Sequence, residues 1–230
     1  MENKQTIYDH RNQKPEEGLI APTMLKKSEV KKIENHIENT IGKIDMVFHE
    51  LVSQIIHLDV YKIDPAPDRD FYTLVTVGMS ALPMTSPNKN TQYIELMISL
   101  PKTWKLSQED LKDENNYWPI RMLKNLGRFP FEYKTWLGFG HTIPNGNPPA
   151  KQSENCNFTG MLLLPSLILR DSWECKAGLF KKVHFLALYP LYTSEMDYKV
   201  ENGVESLYDA FDTCKLSEIV NINREEMKLF

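Results

Sequence analysis

The alternation of apolar and polar residues predicts two strands in the middle of the chain. Residues 72–80 and 93–100 are rich in β-branched, aromatic and aliphatic side chains, and glycine, proline and asparagine close both runs. The even-numbered positions of the second run are all apolar: Ile94, Leu96, Ile98 and Leu100. We therefore expect two antiparallel strands, with one face of the second strand against the core.

Three segments have the spacing of amphipathic helices. The first begins at Ser28, a preferred N-cap residue, and ends at Gly42. The second has Pro119 in its first turn and Gly127 at its exit. The third covers residues 202–213. Each is expected to turn its apolar side towards the core.

Further strands are predicted at residues 44–53, 55–63, 158–164 and 183–192, with a loop at 171–174. No repeat and no linker divides the chain, and helices stand between runs of antiparallel strands. This order favours an α+β fold in one domain, with a mainly antiparallel or mixed sheet flanked by helices. Residues 1–27 are polar and aperiodic, which predicts an N-terminal arm before a single domain over residues 28–230.

Composition narrows the classes of partner. Apolar residues make up 41% and charged residues 25%, as in globular proteins, and the net charge of −4 gives no footprint for nucleic acid. The three cysteines, Cys156, Cys175 and Cys214, are too far apart for a zinc ribbon and are expected to be buried and unpaired. No signal peptide or membrane span is recognisable, so a cytoplasmic protein without nucleic-acid or membrane partners is expected.

Four residues could hold a metal ion: His49, Glu50, His57 and Asp59. On a strand, His57 and Asp59 share one face, and imidazole with carboxylate suits zinc or iron. A metal-dependent enzyme that uses these residues is therefore an alternative function. The competing interpretation is that His57 and Asp59 hydrogen-bond to each other and to backbone groups. We favour the second, because no helix-borne H-E-x-x-H accompanies the cluster.

Candidate nucleophiles lack their supporting residues. Ser80 follows Gly78 but has no second glycine of a nucleophile elbow. Cys175 and His184 are near each other only in sequence. No covalent hydrolase and no cofactor is predicted from these residues.

The second helix carries a basic stripe, and an aromatic region follows it. Arg121, Lys124 and Arg128 form a stripe that would recognise an acidic partner or, more ordinarily, form the solvated side of a helix. Five aromatic residues then follow closely: Phe129, Phe131, Tyr133, Trp136 and Phe139. Some of them must belong to the core, but such a surplus on a glycine- and proline-containing segment is also typical of protein-binding grooves.

The chain also resembles the Suppressor of Fused domain family, in particular its bacterial branch. The resemblance rests on an ordered set of segments: HELVS (49–53) with HLD (57–59), LVTVGMSA (74–81) with 83–84, ELMISLP (95–101) with Trp104, YWPIR (117–121), 135–136 with GHTIPNG (140–146), and YPLY (189–192) with 195–196. Together they span about residues 45–210.

The resemblance implies an α+β fold and a non-enzymatic role in binding a protein partner. Animal members hold a short motif of a transcription factor in a groove, partly by strand addition. In that groove an aromatic residue follows an arginine, which corresponds to Phe129 after Arg128. An acidic residue shortly before a histidine would fall at residues 139–141, where this chain has Gly140 before His141 and no acid. The C-terminal half of the animal protein has no counterpart here.

Bacterial members resemble immunity proteins that block a cognate toxin. We therefore predict a binding module, an immunity protein or antitoxin that covers its toxin sterically, while the oligomeric state stays open. The residues predicted to contact the partner are Arg121, Arg128, Phe129, Phe139, Gly140, His141 and Thr142.

Overall fold

In a computed structural model of the protein, which describes residues 6–10, 22–50 and 55–229, an eight-stranded mixed sheet forms the centre. Its strands are β1 (Ile44–Phe48), β2 (Asp59–Ile63), β3 (Phe71–Val77), β4 (Ile94–Pro101), β5 (Thr142–Pro144), β6 (Gly160–Leu164), β7 (Glu174–Lys176) and β8 (Lys182–Leu191). The spatial order is β1-β2-β3-β4-β8-β6-β5, and β7 pairs with β8 beside this path. The β4–β8 pair is parallel and the other pairs are antiparallel. The predicted α+β class and mixed sheet are confirmed.

Helices cover both faces of the sheet: α1 (Lys27–Thr40), α2 (Glu114–Glu132) and α3 (Thr193–Thr213). Trp118 and Leu123 of α2 pack on one face, against Leu74, Leu96 and Leu186. Ile37 of α1 and Phe211 of α3 belong to the core on the other face. The expectation that only one face of β4 meets the core was therefore wrong, because both faces are covered.

The second helix is longer than its sequence signals indicate. It begins after Asp113, whose side chain accepts a hydrogen bond from the Asn115 N–H (2.9 Å). Gly127 lies inside the helix, where a Cβ atom would come within 2.5 Å of Leu58 Cδ1, so it permits close packing on the sheet. The helix ends beyond Pro130 with Lys134 at φ 48° and a Thr135 N–H to Pro130 oxygen bond of 2.9 Å.

Other boundaries also differ. Helix α1 begins at Lys27, so Ser28 is inside its first turn and does not cap it, while Gly42 does follow its end. Helix α3 begins well before residue 202 and is interrupted at Gly203, where φ is 89° and ψ is 166°. The predicted loop at 171–174 contains the start of β7. Residues 51–53 of the predicted strand 44–53, and residues 1–5 and 11–21 of the predicted arm, lie outside the described residues.

A buried carboxylate explains the LVTVGMSA and ELMISLP segments. Glu95, fully buried on β4, accepts hydrogen bonds from the backbone N–H groups of Gly78, Met79 and Ser80 at 3.0–3.2 Å. The hydroxyls of Thr76 and Ser80 donate at 2.7 and 2.6 Å. Gly78 has φ +131°, and a Cβ there would lie 2.1 Å from the carbonyl oxygen of His57. The tight turn after β3 is thus closed by the next strand, and Ser80 has a structural role.

Candidate functional site

The four residues proposed as metal ligands lie together at the start of β2. Asp59 contacts both histidines, with His49 Nδ1 at 3.1 Å and His57 Nε2 at 3.2 Å, and it accepts the N–H of Glu50 at 2.9 Å. Glu50 forms an ion pair with Arg128 and accepts the Leu58 N–H at 3.2 Å. Each carboxylate is therefore engaged with hydrogen-bond donors of the protein.

This arrangement matches the structural interpretation of the cluster. Among the described residues, no group of three or more His, Cys, Asp or Glu side chains is arranged to hold a metal ion. The Glu50 carboxylate instead pairs with Arg128 and so joins the start of β2 to α2. The Glu50 side chain is only 5% exposed, and an unpaired charge at such a position would be costly. No observation favours the metal-dependent enzyme.

The thiols have no features of nucleophiles. Cys156 and Cys175 are buried, and burial raises the pKa of each to about 11. The Cys175 thiol contacts the carbonyl oxygen of Lys32 at 3.7 Å. Cys214 is exposed, so the prediction that all three cysteines are buried was wrong for this one, which follows the end of α3. A thiol with a raised pKa is a poor nucleophile at neutral pH.

The basic stripe on α2 is occupied by contacts within the protein. Arg121 pairs with Glu114 (2.5 Å) and donates to the carbonyl oxygen of Gln152 (2.7 Å), which attaches the loop before β6 to the helix. Burial lowers the pKa of Lys124. Arg128 pairs with Glu50 and lies 3.8 Å from Glu132. Arg121 and Arg128 are thus fixed in position, and the side chains of both remain partly exposed.

Aromatic rings extend from the end of α2 to the start of β5. Phe129 and Tyr133 are one helical turn apart, with ring centroids at 4.9 Å. Beyond the helix, Trp136 packs on His141 with centroids 4.2 Å apart. We call Phe129, Tyr133, Trp136, Phe139 and His141 the ring face. Phe129 lies on the helix and not in a loop as predicted, and its ring is partly buried against the core.

The loop that carries Phe139 is held in one conformation. Gly140 has φ +74°, and a Cβ there would meet Val204 of α3 at 3.3 Å, so a larger residue would be strained. The Gly140 N–H donates to the Leu163 oxygen (2.8 Å), and the Leu163 N–H donates to the His141 oxygen (2.9 Å). These bonds continue the pairing of β5 with β6 and leave Phe139 58% exposed at its end. An exposed phenyl ring on a fixed loop is a candidate contact residue.

The predicted contact residues thus fall at three places. Phe139, Gly140, His141 and Thr142 are consecutive, and Thr142 is the first residue of β5, which ends the sheet path at that edge. Arg128 and Phe129 are consecutive residues near the end of α2. Arg121 lies on an earlier part of the same helix and contacts the loop at Gln152.

His141 lies near the ammonium group of Lys199, a proximity that no sequence motif indicated. Burial, together with the nearby ammonium of Lys199, lowers the pKa of His141 to about 4. Lys199, on α3, is 7% exposed, and burial lowers its pKa too. Spacing along the chain could not indicate this pair, because α3 reaches the loop only through the tertiary packing of Val204 on Gly140.

The N-terminal segment also reaches the ring face. His10 lies with its ring 5.4 Å from that of Phe129 and 5.7 Å from that of Tyr133, and Tyr8 lies 6.4 Å from Trp136. Sequence reasoning treated this segment only as a polar arm. The available signal was two ring side chains, Tyr8 and His10, in a stretch otherwise lacking aromatic residues.

No helix in the described part of the chain combines the length and apolar character needed to cross a membrane.

The fold and site define an α+β protein whose sheet is covered on both faces and whose edge strand β5 adjoins a surface of aromatic rings. Residues 55–225 match the family model described as Suppressor of fused protein (SUFU). The chain therefore belongs to the suppressor of fused protein family, as its sequence segments indicated.

Solved structures with the same fold come from bacteria and animals. A SUFU homologue from Neisseria gonorrhoeae is 17% identical with a TM-score of 0.65, covering 87% of this chain and 97% of that one. The Sufu–Fu complex structure is 14% identical with a TM-score of 0.57, covering 90% of this chain and 93% of that one. Drosophila Suppressor of Fused is 15% identical with a TM-score of 0.58, and the match covers 89% of this chain but 52% of that chain. At these identities the likeness concerns the fold. No protein with a curated description matches the sequence.

Proposed function

We propose that this chain is a non-enzymatic protein-binding module that binds its partner through the ring face and the adjoining edge strand β5. The observation that carries the proposal is Phe139, 58% exposed on a loop whose backbone is fixed by Leu163 and by the packing of Gly140. Preorganisation of this kind lowers the entropy lost on binding. The solved structure of the Sufu–Fu complex adds support, because it shows a protein of the same fold in a complex.

The contact would combine apolar burial with a polar rim. Covering an exposed phenylalanine contributes about 1.5–3 kcal/mol, and His141 beside it is held neutral by burial, so it costs little to desolvate. Arg128, already oriented by Glu50, supplies a cation at the flank. The edge of β5 at Thr142 offers backbone groups for the addition of a partner strand.

The partner we propose is a toxin effector, which makes the chain a bacterial, cytoplasmic immunity protein that neutralises the toxin by covering its active site. The net charge of −4 is compatible with a basic toxin, although the charge is small. Steric occlusion requires no chemistry from this chain. That requirement agrees with buried thiols of raised pKa and with carboxylates engaged in hydrogen bonds.

Co-expression tests this function. The product of the gene adjacent to this one, as the candidate toxin, is produced in a bacterial host together with the wild-type chain, with Phe139→Ser, or with Phe180→Ser. Phe180 is 94% exposed in the turn between β7 and β8, so its substitution removes a still more accessible ring elsewhere. We expect growth with the wild type and Phe180→Ser. With Phe139→Ser we expect loss of protection and at least about a tenfold weaker complex.

Two results would contradict the proposal. Equal protection by Phe139→Ser and Phe180→Ser would mean that the ring face does not contact the toxin. Growth arrest with the wild type, despite soluble expression and no complex with the toxin, would remove the immunity function.

A further inference from the structure

The ring face is partly covered by the chain's own N-terminal segment. The ring of His10 stands edge-on to Phe129, at an interplanar angle of 88°, and is tilted by 55° to Tyr133. Tyr8 meets Trp136 at 73°, and Trp136 in turn packs on His141. Segment 6–10 therefore connects the helical half of the ring face, Phe129 and Tyr133, with its loop half.

The contacts are selective within the segment. Tyr8 and His10 are two residues apart, a spacing that places both side chains on one side of an extended chain. Ile7, the apolar residue next to them, is 72% exposed. Burial of apolar area alone would have favoured Ile7, whereas the segment places the rings of Tyr8 and His10 against the ring face.

These contacts are weak enough to be displaced. An edge-to-face ring pair contributes about 0.5–1.5 kcal/mol, and Tyr8 remains 54% exposed. The segment belongs to the same chain as the ring face, so its contact is intramolecular and its effective concentration there exceeds that of a free peptide. A free segment of the same sequence would compete poorly with the tethered one.

We propose that residues 6–10 are an intramolecular ligand of the ring face, which a protein partner displaces when it binds. This inference rests on the proposed function in that the ring face is the partner's site. It adds a competitor to that site: Tyr8 and His10 cover Trp136 and Phe129 until a partner provides better contacts. Weakening the segment therefore makes the ring face more accessible to any ligand.

The first test is made on the full-length chain without a partner. The ring protons of His10 are assigned by NMR in the wild type and in Phe129→Ser. Because an aromatic ring shifts protons that lie against it, we expect the His10 resonances to move to their random-coil positions in Phe129→Ser and to stay unchanged in Phe180→Ser. Unchanged His10 shifts in Phe129→Ser would overturn the proposal.

The second test measures displacement. A synthetic peptide with the sequence of residues 1–14 is titrated into the wild type, into the double variant Tyr8→Ser, His10→Ser, and into the matched control Ile7→Ser. We expect the double variant to bind the peptide about tenfold more tightly than the wild type and Ile7→Ser do. Adding Phe129→Ser to the double variant should abolish that binding.

Equal affinity of the wild type and the double variant, or no binding of the peptide to either, would overturn the proposal. Because no toxin or other partner is used, failure here leaves the protein-binding function standing. Conversely, failure of toxin protection would leave a positive peptide result as evidence for an intramolecular contact alone.

Discussion

His141 lies among groups that disfavour its charged form. Burial lowers its pKa to about 4, and Lys199 adds a nearby positive charge. The unfolded chain therefore binds a proton between about pH 6.5 and pH 4 that the folded chain does not bind. This residue's contribution to stability is complete above about pH 6.5, falls as the pH is lowered through that window, and is fully lost below about pH 4.

Comparison with His141→Gln tests this linkage. Urea unfolding at pH 7 and pH 4.5 should show that the wild type loses about 1–2 kcal/mol more stability than the variant, after allowance for solvent screening at a half-buried position. The physical reason is that glutamine has no proton to gain on unfolding. An equal loss in both proteins would contradict a buried, neutral His141.

Lys199 can be tested independently of stability. Lys199→Met removes an ammonium from a side chain that is 7% exposed and keeps its apolar length. We expect the pKa of His141, followed by NMR titration, to rise, because a nearby positive charge opposes protonation. Lys31→Met, at an exposed position of α1, serves as the control and should leave that pKa unchanged. A fall in the His141 pKa after Lys199→Met would contradict the arrangement.

At the scale of elements, the Glu95 carboxylate fixes the turn between β3 and the segment that follows it. Glu95→Gln keeps the shape but turns an NH2 group towards N–H donors of the turn. We expect a loss of about 2–3 kcal/mol in the free energy of unfolding, measured by urea denaturation. Glu38→Gln, on an exposed position of α1, is the matched control and should change stability by less than about 0.5 kcal/mol. A neutral Glu95→Gln would show that the turn does not depend on this carboxylate.

Elements with a strong period were predictable from sequence, and those set by tertiary contacts were not. The pairing of residues 72–80 with 93–100 corresponds to β3 and β4, because alternation and turn residues agree there. Gly127 was predicted to end α2, but the helix continues past it. A glycine stands there because a Cβ atom would collide with Leu58. The start of α3 and the short strand β7 had no periodic signal long enough to detect.

The candidate site was predictable only in part, for the same reason. Residues 139–142 are consecutive and could be selected from composition and family resemblance. Their relation to Lys199, Val204 and Tyr8 depends on elements distant in sequence. The proximity of His57 to Asp59 followed from their spacing, whereas His49 joins them because the pairing of β1 with β2 brings residue 49 close to Asp59.

At the scale of the whole molecule, we propose that the α+β domain binds its partner at one edge, which is formed by β5 and the ring face. The opposite edge of the sheet path is β1, and the exposed turn between β7 and β8 carries Leu179 and Phe180. Both places are alternative partner-binding surfaces, because they carry apolar or exposed residues as well. The ring face differs from them in combining an exposed phenyl ring, on a loop bonded to Leu163, with the ring pairs Phe129–Tyr133 and Trp136–His141.

Hydrogen exchange of the chain alone and with the proposed toxin distinguishes these surfaces. The account predicts slower exchange on binding for backbone amides of residues 138–143, with faster exchange in segment 6–10 as it is displaced. Phe139→Ser should reduce the protection, and Phe180→Ser should not. Protection confined to β1 or to residues 177–181, with residues 138–143 unchanged, would contradict it.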